Sequence, residues 1–194
     1  SGGKPEKIVL MLHGVGSNGQ DLIGLAPYLS QALPNVLFLS PDAPHPYDMA
    51  PVGHQWFSLR EYTPAAMLAE IRESVPLLNH YIDDVLAQYG LTDSDLALLG
   101  FSQGTMMSLY TAPRREKPIA GILGYSGALL GGEELNDPAI HKIPVCLIHG
   151  EEDPVLPISR YHDAKRQLEN AGFAVDGYTV PGLPHSIDES GIRK

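Results

Sequence analysis

Six short apolar segments follow one another along the chain, and stretches of helical periodicity separate them. Central parallel strands have this nearly continuous apolar character because helices cover both of their faces. We predict strands over residues 7–12, 36–40, 96–100, 119–125, 145–149 and 175–180. Their alternation with helices predicts a doubly wound, mainly parallel α/β sheet.

The helices between these strands are predicted from spacing and from terminal residues. Apolar side chains recur every three or four positions from Pro64, which predicts an amphipathic helix of about 25 residues that ends at Gly90. Shorter helices are predicted over residues 27–33, 103–112 and 157–171. No break in the alternation marks a domain boundary, so we expect a single domain over residues 1–194 without a cap domain. We interpret Ser1-Gly2-Gly3 as a remnant of protein expression.

Composition argues against several classes of function. The net charge is −10 and no basic residues cluster, which disfavours a nucleic-acid partner or an anionic membrane surface. No apolar run approaches the length of a membrane span, and no secretory signal is visible. The single cysteine, Cys146, allows no internal disulfide and fits a reducing compartment. We therefore expect a cytoplasmic protein with no stable membrane insertion.

A serine between two glycines joins the end of one predicted strand to the start of a helix, in the segment Gly100-Phe101-Ser102-Gln103-Gly104. This is the setting of a nucleophile elbow, where the turn is so tight that flanking side chains would collide with neighbouring elements. Ser102 is therefore the candidate nucleophile. Ser126 lies in a similar segment, but no apolar helix follows it, and we interpret it as a loop serine.

Asp153 and His185 complete a candidate catalytic triad with Ser102. Each of the three falls directly after a predicted strand, at the edge where parallel sheets assemble their sites. The chain order of nucleophile, acid and base is the order found in α/β-hydrolases. Such a triad needs neither a metal nor an organic cofactor, so we expect none.

The glycine-rich segment after the first strand allows two interpretations. Gly14-x-Gly16-x-x-Gly19 has the spacing of a dinucleotide-binding fingerprint. However, Asp21 would place a negative charge against the pyrophosphate at the helix start. A hydrolase would instead use this loop for an oxyanion hole, with the backbone N–H groups of Val15 and Gln103 as donors. We favour the second interpretation and keep dinucleotide binding as an alternative.

A proline-rich loop over residues 41–59 is predicted to cover the site. Its histidines and aspartates lack the spacing of metal ligands, so we expect no metal there. Trp56 and Phe57 are candidate apolar walls for a substrate. Leu129 and Leu130 are candidates for an acyl channel.

Several segments together resemble one known family, and they follow in order over nearly the whole chain: residues 13–21, Pro41-Asp42-Ala43-Pro44, Trp56-Phe57, residues 100–104, Ser126-Gly127, His149-Gly150 with Asp153-Pro154, and Gly182 with His185-Ser186-Ile187. The chain is similar to the phospholipase/carboxylesterase family of α/β-hydrolases, which includes acyl-protein thioesterases and small bacterial carboxylesterases. The resemblance implies a cytosolic, cofactor-free serine hydrolase of esters or thioesters. It also implies the triad and the oxyanion hole assigned above.

The chain departs from the family pattern at a few positions. Thr105 stands where many members have a second glycine after the elbow, and Ser58 stands where an acid is common. Members also have a longer closing helix after the catalytic histidine than this chain, which ends at Lys194.

The expected partner is a small-molecule or lipid ester or thioester, and a homodimer is a further expectation. A non-catalytic binding module with the same fold is an alternative, disfavoured because all three triad residues are present. A peptidase is disfavoured because the chain has no room for a cap or propeller domain.

Overall fold

A parallel sheet forms the centre of the computed structural model, which describes residues 4–188. Within these residues its six strands are β1 (Lys7–Leu12), β2 (Val36–Leu39), β5 (Leu96–Phe101), β6 (Gly121–Tyr125), β7 (Val145–Gly150) and β8 (Val175–Val180). They lie in the order β2-β1-β5-β6-β7-β8, and all neighbouring pairs are parallel. The predicted doubly wound, mainly parallel sheet is confirmed. Residues 1–3 and the end of the chain after residue 188, for which the sequence analysis states expectations, lie outside the described residues.

Helices pack against both faces of the sheet. They are α1 (Gly19–Leu22), α2 (Ala26–Leu29), α3 (Pro64–Tyr89), α4 (Gln103–Thr111) and α5 (Ser159–Asn170). One apolar cluster joins the sheet to α3, α4 and α5, and a smaller cluster on the other face includes Leu22 of α1 and Leu29 of α2. Two apolar faces that are both covered explain why the strands read as continuous apolar runs.

The longest helix has the ends that the sequence predicts. Thr63 caps α3 by accepting a hydrogen bond from the N–H of Ala66, and Pro64 occupies the first turn. Gly90 ends the helix in the left-handed conformation, with φ of 66°. The predicted start at Pro64 and end at Gly90 are therefore confirmed.

The region between β1 and α3 differs from the prediction in its short elements. The helix predicted over residues 27–33 is shortened to Ala26–Leu29 and is followed by a turn over residues 30–32, and Pro34 disfavours helical geometry at Leu33. Single helical turns over 19–25 and a small antiparallel pair, β3 (His45–Pro46) with β4 (His54–Gln55), were not predicted. Elements this short span only about one period of an apolar pattern, so no repeat is present to reveal them.

The strand order places a crevice between β1 and β5. The chain passes from β1 outward to β2 and then returns to the other side of β1 to begin β5. The connections after β1 and β5 therefore leave in opposite directions, which opens a gap at their carboxyl ends. The Gly14–Gly19 segment and the elbow at Ser102 both lie at this switch point.

A stability prediction follows from how closely α4 approaches β1. A Cβ on Gly104 would lie 1.9 Å from the carbonyl oxygen of Leu12, a clash with backbone that side-chain movement cannot relieve. We expect Gly104→Ala to lower the free energy of unfolding by at least about 2 kcal/mol. The control is Gly24→Ala, because a Cβ there meets nothing within 4 Å. Urea denaturation of both variants tests this, and equal stability of the two would contradict the packing described.

Candidate active site

Ser102 occupies a strained turn between β5 and α4. Its φ of 55° and ψ of −115° are unusual for a residue with a side chain, and such strain costs on the order of 1–3 kcal/mol. The Ser102 N–H donates to the carbonyl of Tyr125 at 2.9 Å, which fixes the turn to the end of β6. A Cβ on Gly100 would lie 2.5 Å from the backbone nitrogen of Thr105. The turn therefore requires the small residues that flank the serine.

Thr105, the departure from the family pattern, is accommodated by glycines on the neighbouring strand. Its hydroxyl donates to the same Tyr125 carbonyl at 2.8 Å. Its methyl group lies 2.6 Å from where a Cβ on Gly124 would be and 2.3 Å from one on Gly127. The side chain thus fills the space that these two glycines leave empty.

His185 lies between Ser102 and Asp153. Its Nε2 is 3.0 Å from the Ser102 Oγ, and its Nδ1 is 2.7 Å from the Asp153 Oδ2. A carboxylate accepts hydrogen bonds, so Nδ1 carries the proton and donates to Oδ2. This tautomer leaves Nε2 free to accept the hydroxyl proton of Ser102. The structure thus brings together the three residues predicted as a triad.

Asp153 is held in its ionised form by hydrogen bonds. Burial by itself would raise the pKa of this carboxyl, but the N–H groups of Leu156 and Val155 and the His185 ring outweigh burial, and the pKa lies below its usual value. The Oδ1 atom accepts from Val155 N–H at 2.9 Å and from Leu156 N–H at 2.8 Å. The other oxygen is thereby turned toward His185.

The loops that carry Asp153 and His185 are pinned to each other. The N–H of Glu152 donates to the carbonyl of Leu183 at 3.1 Å. A Cβ on Gly150 would lie 2.2 Å from that same carbonyl oxygen and 2.6 Å from the one of Pro184. Glycine at the end of β7 therefore lets the histidine loop pass close to the acid loop.

The backbone before Val15 has the orientation that an oxyanion hole needs. The His13 Nδ1–H donates to the Gly14 carbonyl at 2.7 Å, and the Ser17 N–H donates to it at 3.2 Å. In a trans peptide the N–H points away from the carbonyl, so the Val15 N–H is directed to the opposite side. Within residues 4–188 no group accepts a hydrogen bond from the backbone N–H of Val15 or Gln103.

His13 holds this peptide as a neutral, buried ring. Its Nε2 accepts from the Ala43 N–H at 2.9 Å, so both ring nitrogens are occupied. Burial lowers the pKa of His13 below its ordinary value, which keeps the ring neutral near pH 7. The orientation of the Gly14–Val15 peptide therefore depends on one imidazole.

The Gln103 side chain clamps the loop that follows β4. Its Oε1 accepts from the Trp56 N–H at 2.8 Å, and its Nε2 donates to the Phe57 carbonyl at 2.7 Å. The indole N–H of Trp56 donates to the carbonyl of His13 at 2.9 Å. The Gln103 side chain thus holds a neighbouring loop in place next to Ser102.

The structure does not bring the four predicted wall residues to the cleft beside Ser102. Trp56 and Phe57 are 3% and 1% exposed and belong to the large apolar core. Leu130 is buried in the same core, and Leu129 packs against it. Packing explains this placement, because the apolar surfaces of Trp56, Phe57 and Leu130 are buried in the core and Leu129 is partly buried against it.

The cleft at Ser102 has a volume of about 500 Å³ and a mainly apolar lining. Its apolar side chains include Leu22, Leu25, Phe101, Val155 and Ile187. Sequence reasoning missed this set. The position of Phe101, inside the elbow motif, was the one available signal, and its ring centroid lies 4.9 Å from that of His185.

Ser126 and Cys146, the other side chains that could act as nucleophiles, are in environments that do not favour this role. Ser126 is 1% exposed, and its Oγ has no hydrogen-bond partner within residues 4–188. Burial raises the pKa of the Cys146 thiol, which disfavours the reactive thiolate.

In the described part of the chain no group of three His, Cys, Asp or Glu side chains is arranged to hold a metal ion. None of the helices described there is both long and apolar enough to cross a membrane.

Comparison with known proteins identifies the family of this chain over its whole length. The sequence model of the phospholipase/carboxylesterase family matches residues 1–194. Esterase YpfH of Escherichia coli (strain K12) is 28% identical over 188 residues, which cover 97% of this chain and 79% of the esterase. Acyl-protein thioesterase 1 of Kluyveromyces lactis is 31% identical over 196 residues, which cover 93% of this chain and 85% of the thioesterase.

A solved structure agrees with these sequence relationships. The crystal structure of esterase PE8 superposes with a TM-score of 0.93 at 36% identity, covering 98% of this chain and 90% of that chain. The chain therefore belongs to the phospholipase/carboxylesterase family of α/β-hydrolases, and it is a hydrolase of the carboxylesterase and thioesterase type.

Proposed function

We propose that the chain hydrolyses carboxylic esters or thioesters through an acyl-enzyme intermediate on Ser102. The observation that carries the proposal is the unbroken hydrogen-bonded series from Ser102 Oγ through His185 to Asp153, at 3.0 and 2.7 Å. It lies beside an apolar cleft of about 500 Å³. Nucleophile, base and orienting acid are thus adjacent to a space that fits an acyl group.

Each residue has a defined part in the proposed reaction. His185 Nε2 takes the proton of Ser102 Oγ as the oxygen attacks the carbonyl carbon, and Asp153 stabilises the imidazolium that forms. The developing oxyanion accepts hydrogen bonds from the Val15 and Gln103 N–H groups. His185 then returns the proton to the leaving alcohol or thiol, and the acyl group stays on Ser102. Water activated by His185 cleaves this ester in the second half of the reaction.

The substrate is proposed to be an ester or thioester with an uncharged acyl group. The similarity to the acyl-protein thioesterase named above supports a thioester, and the apolar cleft suits a hydrocarbon chain. The mechanism requires no metal or organic cofactor. A cytoplasmic location and a homodimer stay predictions.

Dinucleotide binding at the Gly14–Gly19 segment is not favoured by its hydrogen bonds. The Gly19 N–H donates to Asp42 Oδ1 at 2.8 Å, and the Asp21 N–H donates to Asn18 Oδ1 at 2.9 Å. A pyrophosphate needs such helix-start N–H groups to be available. Here side chains of the protein already occupy them.

The proposed mechanism predicts different effects of substituting the two elbow-like serines. We expect Ser102→Ala to lower kcat for p-nitrophenyl esters by about 10⁴-fold or more, because the nucleophile is removed. Ser126→Ala is the matched control, since this serine is also buried at a strand end, and it should keep the wild-type rate within about threefold. The measurement is kcat from steady-state kinetics of the two folded variants and the wild type. A Ser102→Ala enzyme with a tenth of wild-type turnover, or an inactive Ser126→Ala enzyme, would contradict the assignment.

The proposed cleft also predicts how activity depends on acyl length. Each methylene that enters an apolar cleft contributes about 0.8 kcal/mol, so kcat/KM should rise with acyl length until the cleft is full, at about four to eight carbons. Leu25→Ala, which removes part of the cleft wall, should lower the ratio of kcat/KM for hexanoate over acetate by about 3- to 10-fold.

Leu129→Ala is the control for this experiment, because Leu129 packs against the core and away from the cleft. The series uses p-nitrophenyl esters below the concentrations at which they form micelles. If the ratio of kcat/KM for hexanoate over acetate changed in Leu129→Ala but not in Leu25→Ala, Leu129 would line the acyl site, as the sequence suggested, and the cleft described above would not. A rise that continues through palmitate would indicate a deep channel instead of this cleft.

A further inference from the structure

We propose that His149 is a positioning residue, which acts on catalysis through Asp153 without touching the substrate. The proposal rests on the triad assigned above. His149 lies at the end of β7, is 2% exposed and is not among the residues that line the cleft. Neither the oxyanion hole nor the proton transfer steps use it, yet it is a buried ring beside the catalytic acid.

The His149 ring holds the turn that carries Asp153. Its Nε2 lies 2.8 Å from the carbonyl oxygen of Leu156 and 3.5 Å from the Asp153 Oδ2. Both of these atoms are acceptors, so Nε2 bears the proton and donates to Leu156. Burial lowers the pKa of His149 below its ordinary value, and the ring is therefore a neutral donor near pH 7.

Hydrogen bonds therefore hold the turn from Asp153 to Leu156 at both of its ends. The Asp153 Oδ1 accepts the N–H groups of Val155 and Leu156, and His149 binds the carbonyl of Leu156. Rotation of the carboxylate away from His185 would break its bonds to both N–H groups, and the His149 bond holds Leu156 where its N–H reaches Oδ1. Since Leu156 is 3% exposed, loss of the His149 donor would leave its carbonyl buried without a partner.

The groups that face His149 come from three elements. Asp153 lies on the loop after β7, His185 on the loop after β8, and His162 on α5, and all three act on it electrostatically. The Tyr161 ring of α5 lies 6.3 Å away between centroids. These contacts place the ring between α5 and the loop that carries Asp153, and the ring packs against that loop on the side of α5. Removal of its N–H should therefore alter the chemical step and leave substrate binding unchanged.

The test compares a variant that keeps a donor with one that does not. Glutamine can place its amide nitrogen near the position of Nε2, whereas leucine fills the space without a donor. We expect His149→Leu to lower kcat by about 10- to 100-fold at unchanged KM, because misplacement of a catalytic group by up to about 1 Å has effects of this size. His149→Gln should stay within about threefold of the wild type.

Several outcomes would overturn the proposal. His149→Leu with wild-type kcat, equal loss in the leucine and glutamine variants, or a loss confined to KM would each do so. Failure of the proposed function is recognised separately, because Ser102→Ala would then keep its activity whatever the His149 variants do.

A measurement on the unaltered enzyme covers the case in which His149→Leu does not fold. Nitrogen-15 NMR of the histidine rings should find His149 neutral at pH 7, with the proton on Nε2, and its titration should fall below the value near 6.5 of an unperturbed ring. A proton on Nδ1, or a titration at the ordinary value, would overturn the proposal.

Discussion

The close approach of α4 to the carboxyl end of β1 is the contact on which the rest of the site depends. It exists because Gly104 has no side chain to hold the helix away from the Leu12 carbonyl. With the helix seated there, the turn at Ser102 lies next to Gly14, so close that a Cβ on Gly14 would be 3.3 Å from the Ser102 Cβ. Ser102 and the loop after β1 are thus neighbours through backbone packing before any polar contact is made.

Buried polar side chains then fix the orientation of the backbone around this contact. His13 orients the Gly14–Val15 peptide, the Gln103 amide binds the Trp56–Phe57 backbone, and the Asp153 carboxylate binds its own turn. Each of these side chains has its hydrogen-bonding groups paired, as burial requires. The site is therefore preorganised by groups that are distant in sequence and shielded from water. Preorganised donors of this kind are the main source of electrostatic stabilisation in acyl transfer.

The features that the sequence predicted are those with a local signal. The strands have continuous apolar runs, α3 has a clear period with both caps, and the elbow has glycines at fixed offsets. The positions of Asp153 and His185 followed from the rule that sites form at the carboxyl edge of a parallel sheet.

The features that were missed depend on contacts between distant residues. Trp56 looks like a substrate wall in a proline-rich loop, and its role became clear only from the bond to Gln103, which is 47 residues away. Leu22 and Leu25 line the cleft from single helical turns that have no apolar period. Local patterns predict which residues are buried, but they do not predict which cavity a buried residue faces.

The most direct test of the central claim is a crystal structure of the enzyme after reaction with a fluorophosphonate, which mimics the tetrahedral intermediate. The account predicts a phosphorus bonded to Ser102 Oγ. Its phosphoryl oxygen should lie about 2.7–3.1 Å from both the Val15 and the Gln103 backbone nitrogens. Modification of another residue, or a phosphoryl oxygen that contacts neither nitrogen, would contradict the account.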